Sequence, residues 1–224
     1  MDISAQRLLE LIIFFPLFMI AITFHEAAHA YAAFRAGDPT AKLSGRLSLN
    51  PMVHIDPLGL LFFVLSSLAG RGFGWAKPVP VNPLNFKNYK KDDIIVSLAG
   101  VAANLVLMFL TLVLIKALYM AGIFDAVSGN LSSGRLQDYI HYLLLEFYFL
   151  NGILFVFNLL PIPPLDGSHV FIHLFFKDSM MVEAKVARYG FLILVVVLMT
   201  GILSFVLNAS AKVMFMIASF FINL

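Results

Sequence analysis

An all-α, polytopic membrane protein is the fold class this sequence predicts, and three observations carry it. Of 224 residues, 61% are hydrophobic and only 12% charged, with a mean hydropathy of +0.92, far from the balance of a water-soluble domain. Four apolar segments are each long enough for the roughly 20 residues that a spanning helix needs. No polar stretch, repeat or low-complexity tract leaves room for a soluble domain, so residues 1–224 read as a single membrane-embedded unit.

The first long segment is Leu8–Ala33. Its flank, MDISAQRLLE, sets Asp2 and Glu10 against Arg7, and the apolar run leads into His25 rather than a small-residue cleavage site. That is the pattern of a retained first transmembrane helix, not a cleaved leader. Leu58–Ala69, a dozen residues between Pro57 and Gly70, is too short to span and reads as a re-entrant or interfacial helix. In GFGWAKPVPVNP, Gly72 and Gly74 permit bends, while Pro78, Pro80 and Pro83 exclude regular helix. Val79 and Val81 favour extended backbone there, so a small β-hairpin-like element is expected. The remaining long segments are Ile94–Gly122, Tyr139–Leu160 and Tyr189–Leu207. Val213–Leu224 is again short, and its length leaves open whether it spans.

Charge orients the set. Arg35, Lys42, Arg46, Arg71, Lys77, Lys87, Lys90 and Lys91 all fall between the first two long segments, which makes that loop cytoplasmic and puts the N-terminus outside. The linker Ile123–Asp138, with one basic residue, is then outside, and Pro161–Arg188 inside. The net charge of +2 is too small to argue for nucleic acid. With no cysteine, disulfides and thiolate metal sites are excluded, so a metal would need His and carboxylate ligands.

Near the cytoplasmic end of the first segment stands FHEAAHA. His25 and His29, four apart on a helix, project from one face and can share a metal, with Glu26 one step round. In the H-E-x-x-H arrangement the glutamate is not a ligand; it removes a proton from water attacking a carbonyl and passes it to the leaving amine. Three ionisable groups in five membrane residues are costly unless paired or ligated. A catalytic zinc commonly takes a third protein ligand, and His54, Asp56, His141, Asp166, His169 and His173 are the candidates. NLLPIPPLDG closes the third long segment at the depth of His25 and His29. Its prolines and Gly167 either aim Asp166 inward as a ligand or leave it to cap the helix that follows.

FHEAAHA and NLLPIPPLDG, in that order on separate segments, resemble the paired motifs of the site-2 protease family of intramembrane zinc metalloproteases. The resemblance runs on through GDPTAKLSGRLSLNPMVHIDPLG, GFGWAKPVPVNPLNF and SLAGVAANL, covering most of residues 20–170. It is to the compact branch without PDZ or CBS domains. It implies one Zn2+ per chain held by His25, His29 and Asp166, and Glu26 as catalytic acid/base. It also implies regulated intramembrane proteolysis of a single-pass substrate's transmembrane segment in the lipid bilayer. Val101 departs from the pattern, standing where many relatives have proline after the glycine.

Asn104 and Asn158 are candidates to bind substrate or the carbonyl oxygen under attack, or else to join helices by hydrogen bonds, as is Asn151. His54 and Asp56 are expected in a turn with a supporting role. His169 and His173 form a second pair four apart, but no Glu accompanies them in the motif. The extended element would offer an edge to an unwound substrate strand. A metal-ion or proton transporter using the same groups as a relay is the alternative from another class, with a non-catalytic scaffold the weaker third. Substrate identity, the need for a prior cut, regulatory partners and oligomeric state are not legible.

Overall fold

A computed structural model describes residues 3–68, 74–125 and 134–223. Gly72, part of the expected extended element, lies outside the described residues, as does half of the 123–138 linker. The elements, in order, are α1 (Ile3–Ala36), α2 (Thr40–Leu43), α3 (Pro57–Leu68), α4 (Tyr89–Met120) and α5 (Leu136–Leu159). They continue with α6 (Asp166–Phe175), α7 (Ser179–Ala187), α8 (Gly190–Thr200) and α9 (Ile202–Asn223). Among the described residues, four stretches are long and apolar enough to cross a membrane: Leu11–Ala36, Tyr89–Met120, Leu136–Leu159 and Ile202–Ile222.

Three of these coincide with the segments read from sequence; the fourth does not. The expected span Tyr189–Leu207 is divided at Gly201, which ends α8 in the left-handed conformation with φ of 75°. The span is instead α9, which absorbs the run from Val213 by continuing through the polar stretch 208–212. Ser210 makes this tolerable by donating its hydroxyl proton to the Val206 carbonyl one turn back.

α4 is the central helix, packed along α1 on one side and α5 on the other. It runs unbroken through Val101, so the missing proline introduces no break. Away from the polar residues, Met108 and Leu112 of α4, Tyr148 of α5, and Met214 and Ala218 of α9 form a buried core. The Tyr148 hydroxyl satisfies itself by donating to the Met214 carbonyl at 2.9 Å. α3 lies against α1 through Phe63, whose ring meets those of Phe14, Phe15 and Phe18.

Residues 74–82 are non-helical, as the prolines require, and among the described residues no strand is formed. One backbone bond, from Lys77 N–H to the His54 carbonyl at 2.8 Å, ties the segment to the turn at 51–54. Its far end is held by Asp38. This buried carboxylate accepts from Thr40 N–H and hydroxyl, from Asn82 N–H at 2.7 Å and from Asn85 Nδ2 at 2.7 Å. Burial alone would raise the Asp38 pKa, but these donors outweigh it and hold the carboxyl below the usual range.

Candidate active site

One face of α4 builds the back wall of the site. Asp93, Val96, Gly100 and Asn104 recur at helical spacing and each meets a different part of the polar cluster. Asn104, fully buried, accepts from His25 Nδ1–H at 2.6 Å. The Val96 carbonyl accepts from His29 Nδ1–H at 2.7 Å. Between them Gly100 must lack a side chain, because a Cβ there would collide with His29 Nε2 and His25 Cε1.

These two bonds fix the tautomers. With Nδ1 protonated on both rings, each neutral imidazole presents a lone pair at Nε2. The two Nε2 atoms nevertheless face each other at 2.9 Å, and Asp166 Oδ2 lies 3.2 Å from one and 3.3 Å from the other. Asp166 Oδ2 is buried and has no hydrogen-bond partner of its own. Three potential electron-pair donors therefore converge, a crowding that a bound metal cation relieves, as would a proton held between them. Tetrahedral zinc with bonds of about 2.0–2.1 Å spaces its ligand atoms about 3.3 Å apart, so the donor set fits that metal. Asp166 sits inside the first turn of α6 and makes no cap bond, so the capping alternative has no support here.

Glu26 is not among the three mutually close donor atoms. Its Oε2 accepts from Val79 N–H at 2.8 Å, linking α1 to the non-helical segment. Both residues line a cavity of about 740 Å³ together with His25, His29, Asp166 and Asn158. Gly74, Trp75, Ala76, Pro78 and Val81 form another wall of that cavity.

The two asparagines part company. Asn158 lines the cavity, with Nδ2 donating to the Leu154 carbonyl at 3.1 Å. Asn104 does not line it; its Nδ2 donates to the Ala21 carbonyl and to Asn151 Oδ1 at 3.0 Å, while its oxygen orients His25. Carboxamide hydrogens so engaged are not directed at a substrate carbonyl. Asn151 thus supports Asn104. His54 is buried with Nε2 2.9 Å from the Ser48 carbonyl, and Asp56 accepts from Leu58 and Gly59 N–H at the start of α3, both apart from the donor cluster.

His169 and His173 do have acidic company, contributed by other helices. Asp93 Oδ2 lies 3.0 Å from His169 Nδ1 and 2.7 Å from His173 Nε2, and Glu183 Oε1 is 2.9 Å from His173 Nε2. Asp93 and Glu183 escaped sequence reasoning because one sits among the charges of NYKKDD and the other on an amphipathic turn. Nothing local marks either as buried beside histidine.

The sequence profile of Peptidase family M50 matches residues 84–201. The chain is similar to "Putative zinc metalloprotease YwhC" of Bacillus subtilis, 37% identical over 189 residues that cover 84% of this chain and 81% of that protein. It is also similar to "Putative zinc metalloprotease Rip2" of Mycolicibacterium smegmatis, 35% identical across 83% of this chain and 66% of the relative. Rip2 of Mycobacterium tuberculosis is 31% identical over 66% of this chain. No solved structure matches. With four apolar helices long enough to span a bilayer and a His/Asp donor set suited to zinc, the chain belongs to Peptidase family M50, the site-2 proteases, and is a multi-pass membrane zinc metalloendopeptidase.

Proposed function

We propose that this protease cuts the transmembrane segment of single-pass membrane proteins, in the manner of regulated intramembrane proteolysis. In this reading His25, His29 and Asp166 hold one zinc, and Glu26 is the catalytic acid/base. The observation that carries it is the convergence of three potential metal-ligand atoms, with Glu26, on one cavity inside the helical bundle. When bound, zinc supplies Lewis acidity that polarises the scissile carbonyl and acidifies water. Glu26, held through one oxygen by Val79 N–H, takes the proton of the attacking water and returns it to the leaving amine. Asn158 contacts the substrate backbone from the cavity wall. Segment 74–82 receives the unwound strand along its extended edge, which suits a substrate whose helix otherwise hides its peptide bonds.

The basic residues between α1 and α4 favour a cytoplasmic active site and an outside N-terminus, with water reaching the donor atoms by a short path. A relay transporter would have no need of the base fixed beside an open donor set. The test uses purified protein in lipid vesicles with a single-pass substrate. Chelator-sensitive cleavage within or beside the substrate's membrane segment is expected. Cleavage confined to soluble domains, or metal flux without cleavage, would overturn the reading. For orientation, Asn88→Cys should resist an impermeant thiol reagent added outside intact cells.

A further inference from the structure

We propose that His169, oriented by Asp93, is a further catalytic residue that donates Nε2–H to the oxygen of the scissile carbonyl as it gains charge. The inference rests on the protease reading above. α6 opens with Asp166, and His169 follows three residues later on the same helical face. His169 lines the catalytic cavity with 41% of its side chain exposed, whereas Asp93 and His173 behind it are only 5% and 0% exposed. Asp93 also lines that cavity, but His169 is the most exposed of the three and is the one imidazole of the pair on its wall.

The bracing is specific. His169 Nδ1–H donates to Asp93 Oδ2 at 3.0 Å. Asp93 stands on α4 one turn before Val96, whose carbonyl orients His29, so one helix face sets both the donor atoms and His169. Asp93 is itself pinned by His173 Nε2–H at 2.7 Å. His173 also meets Glu183 Oε1, and Glu183 accepts from the Tyr89 hydroxyl at 2.5 Å. Helices α4, α6 and α7 are thus knotted behind a single exposed imidazole.

Its charge is set by what surrounds it. The ionisable groups facing His169 are Asp93 from α4, Glu183 from α7, and Asp166 and His173 from its own helix. The hydrogen bond to Asp93 raises the His169 pKa; burial opposes this, and the charges of Asp93 and Glu183 add to the rise. The imidazolium so favoured has both N–H groups, one for Asp93 and one for the cavity.

The same residues do not make a second metal centre. Asp93, His169 and Glu183 each bring an atom within 4.8 Å of the others, yet His173 Nε2 lies between the carboxylates at 2.7 and 2.9 Å. Its N–H occupies the place a cation would take. His173 Nδ1 is buried without a partner, whereas a ligating histidine donates its second N–H.

The chemistry balances without a further reactant. As water oxygen bonds to the carbonyl carbon, the C=O π pair moves onto oxygen, and His169 hydrogen-bonds that oxyanion without giving up its proton. Glu26 carries the water proton to the amine nitrogen as the C–N bond breaks and the carbonyl re-forms. A donor of this kind is worth about 10²- to 10³-fold in kcat.

The experiment compares wild type with His169→Ala, His169→Arg and Asp93→Asn in vesicles, reading kcat, KM, zinc content and the pH–rate profile. His169→Ala should lose about 10²-fold or more in kcat with KM nearly unchanged and zinc retained. His169→Arg, which restores a permanent cationic donor, should recover at least tenfold of that loss and flatten the alkaline limb. Asp93→Asn should move the alkaline limb to lower pH. A His169→Ala enzyme within threefold of wild type, an Arg variant no better than Ala, or loss of zinc from His169→Ala would each overturn the proposal. If wild type itself cleaves no membrane segment, the protease reading fails first and separately.

Discussion

Two clusters of histidine and carboxylate lie along one face of α4, and they differ in where their protons are. In His25, His29 and Asp166 every proton points outward, to Asn104 and the Val96 carbonyl, leaving lone pairs crowded at 2.9–3.3 Å. In Asp93, His169, His173 and Glu183 the N–H groups point inward at carboxylates. The first arrangement suits a metal cation; in the second, imidazole N–H groups meet Asp93, although Glu183 Oε1 and His173 Nδ1 keep no hydrogen bond. Residue type alone does not separate them, because both are built from imidazoles four apart on a helix and acids brought from elsewhere. What separates them is the acceptor each ring finds on its outer side.

The largest expected effect breaks the comparison at its reactive edge. Glu26→Gln keeps size and the bond from Val79 N–H but removes the base, so zinc should stay while turnover falls by about 10²–10⁴ or more. Near-normal cleavage at unchanged zinc would refute the assigned role, and loss of both would make Glu26 a ligand. Next comes the outward acceptor. Asn104→Ala leaves His25 Nδ1–H without its partner and frees Ala21 and Asn151, so zinc affinity should weaken about 10–100-fold in competition with a chelator.

The smallest effect concerns Asp38, a third buried carboxylate satisfied wholly by donors. Its folded pKa is depressed, so its contribution is complete above the ordinary carboxyl value of about 3.9 and is lost as pH falls through the lower folded value. Asp38→Asn should lower stability by about 1–3 kcal/mol at neutral pH, with the gap to wild type closing below about pH 4 in thermal unfolding.

Much of this was legible in the sequence because helical spacing is local. The pairing of His25 with His29 and the offset of Glu26 follow from positions in five residues, and Pro78, Pro80 and Pro83 forecast a non-helical wall. Only the family resemblance favours Asp166 as a ligand over a cap, since its inward aim depends on helices far apart in the chain. Apolar run length carries the expected fourth span across Gly201 and ends it at the polar stretch 208–212, and both limits differ from the structure. Backbone conformation in fact breaks the first, and an internal hydroxyl bond bridges the second. Sequence leaves Asn104 open between a substrate donor and a helix-joining residue, and its carboxamide is spent on Ala21, Asn151 and His25. Long-range pairing of this sort leaves no trace in spacing.

The central claim is that one cluster holds a metal and its neighbour holds protons. Zinc per chain, measured on purified wild type, Asp166→Ala and Asp93→Asn under identical dialysis, tests it most directly. The account predicts about one zinc in wild type, far less in Asp166→Ala, and an undiminished content in Asp93→Asn. Two zincs in wild type with one lost from Asp93→Asn, or full retention in Asp166→Ala, would contradict it.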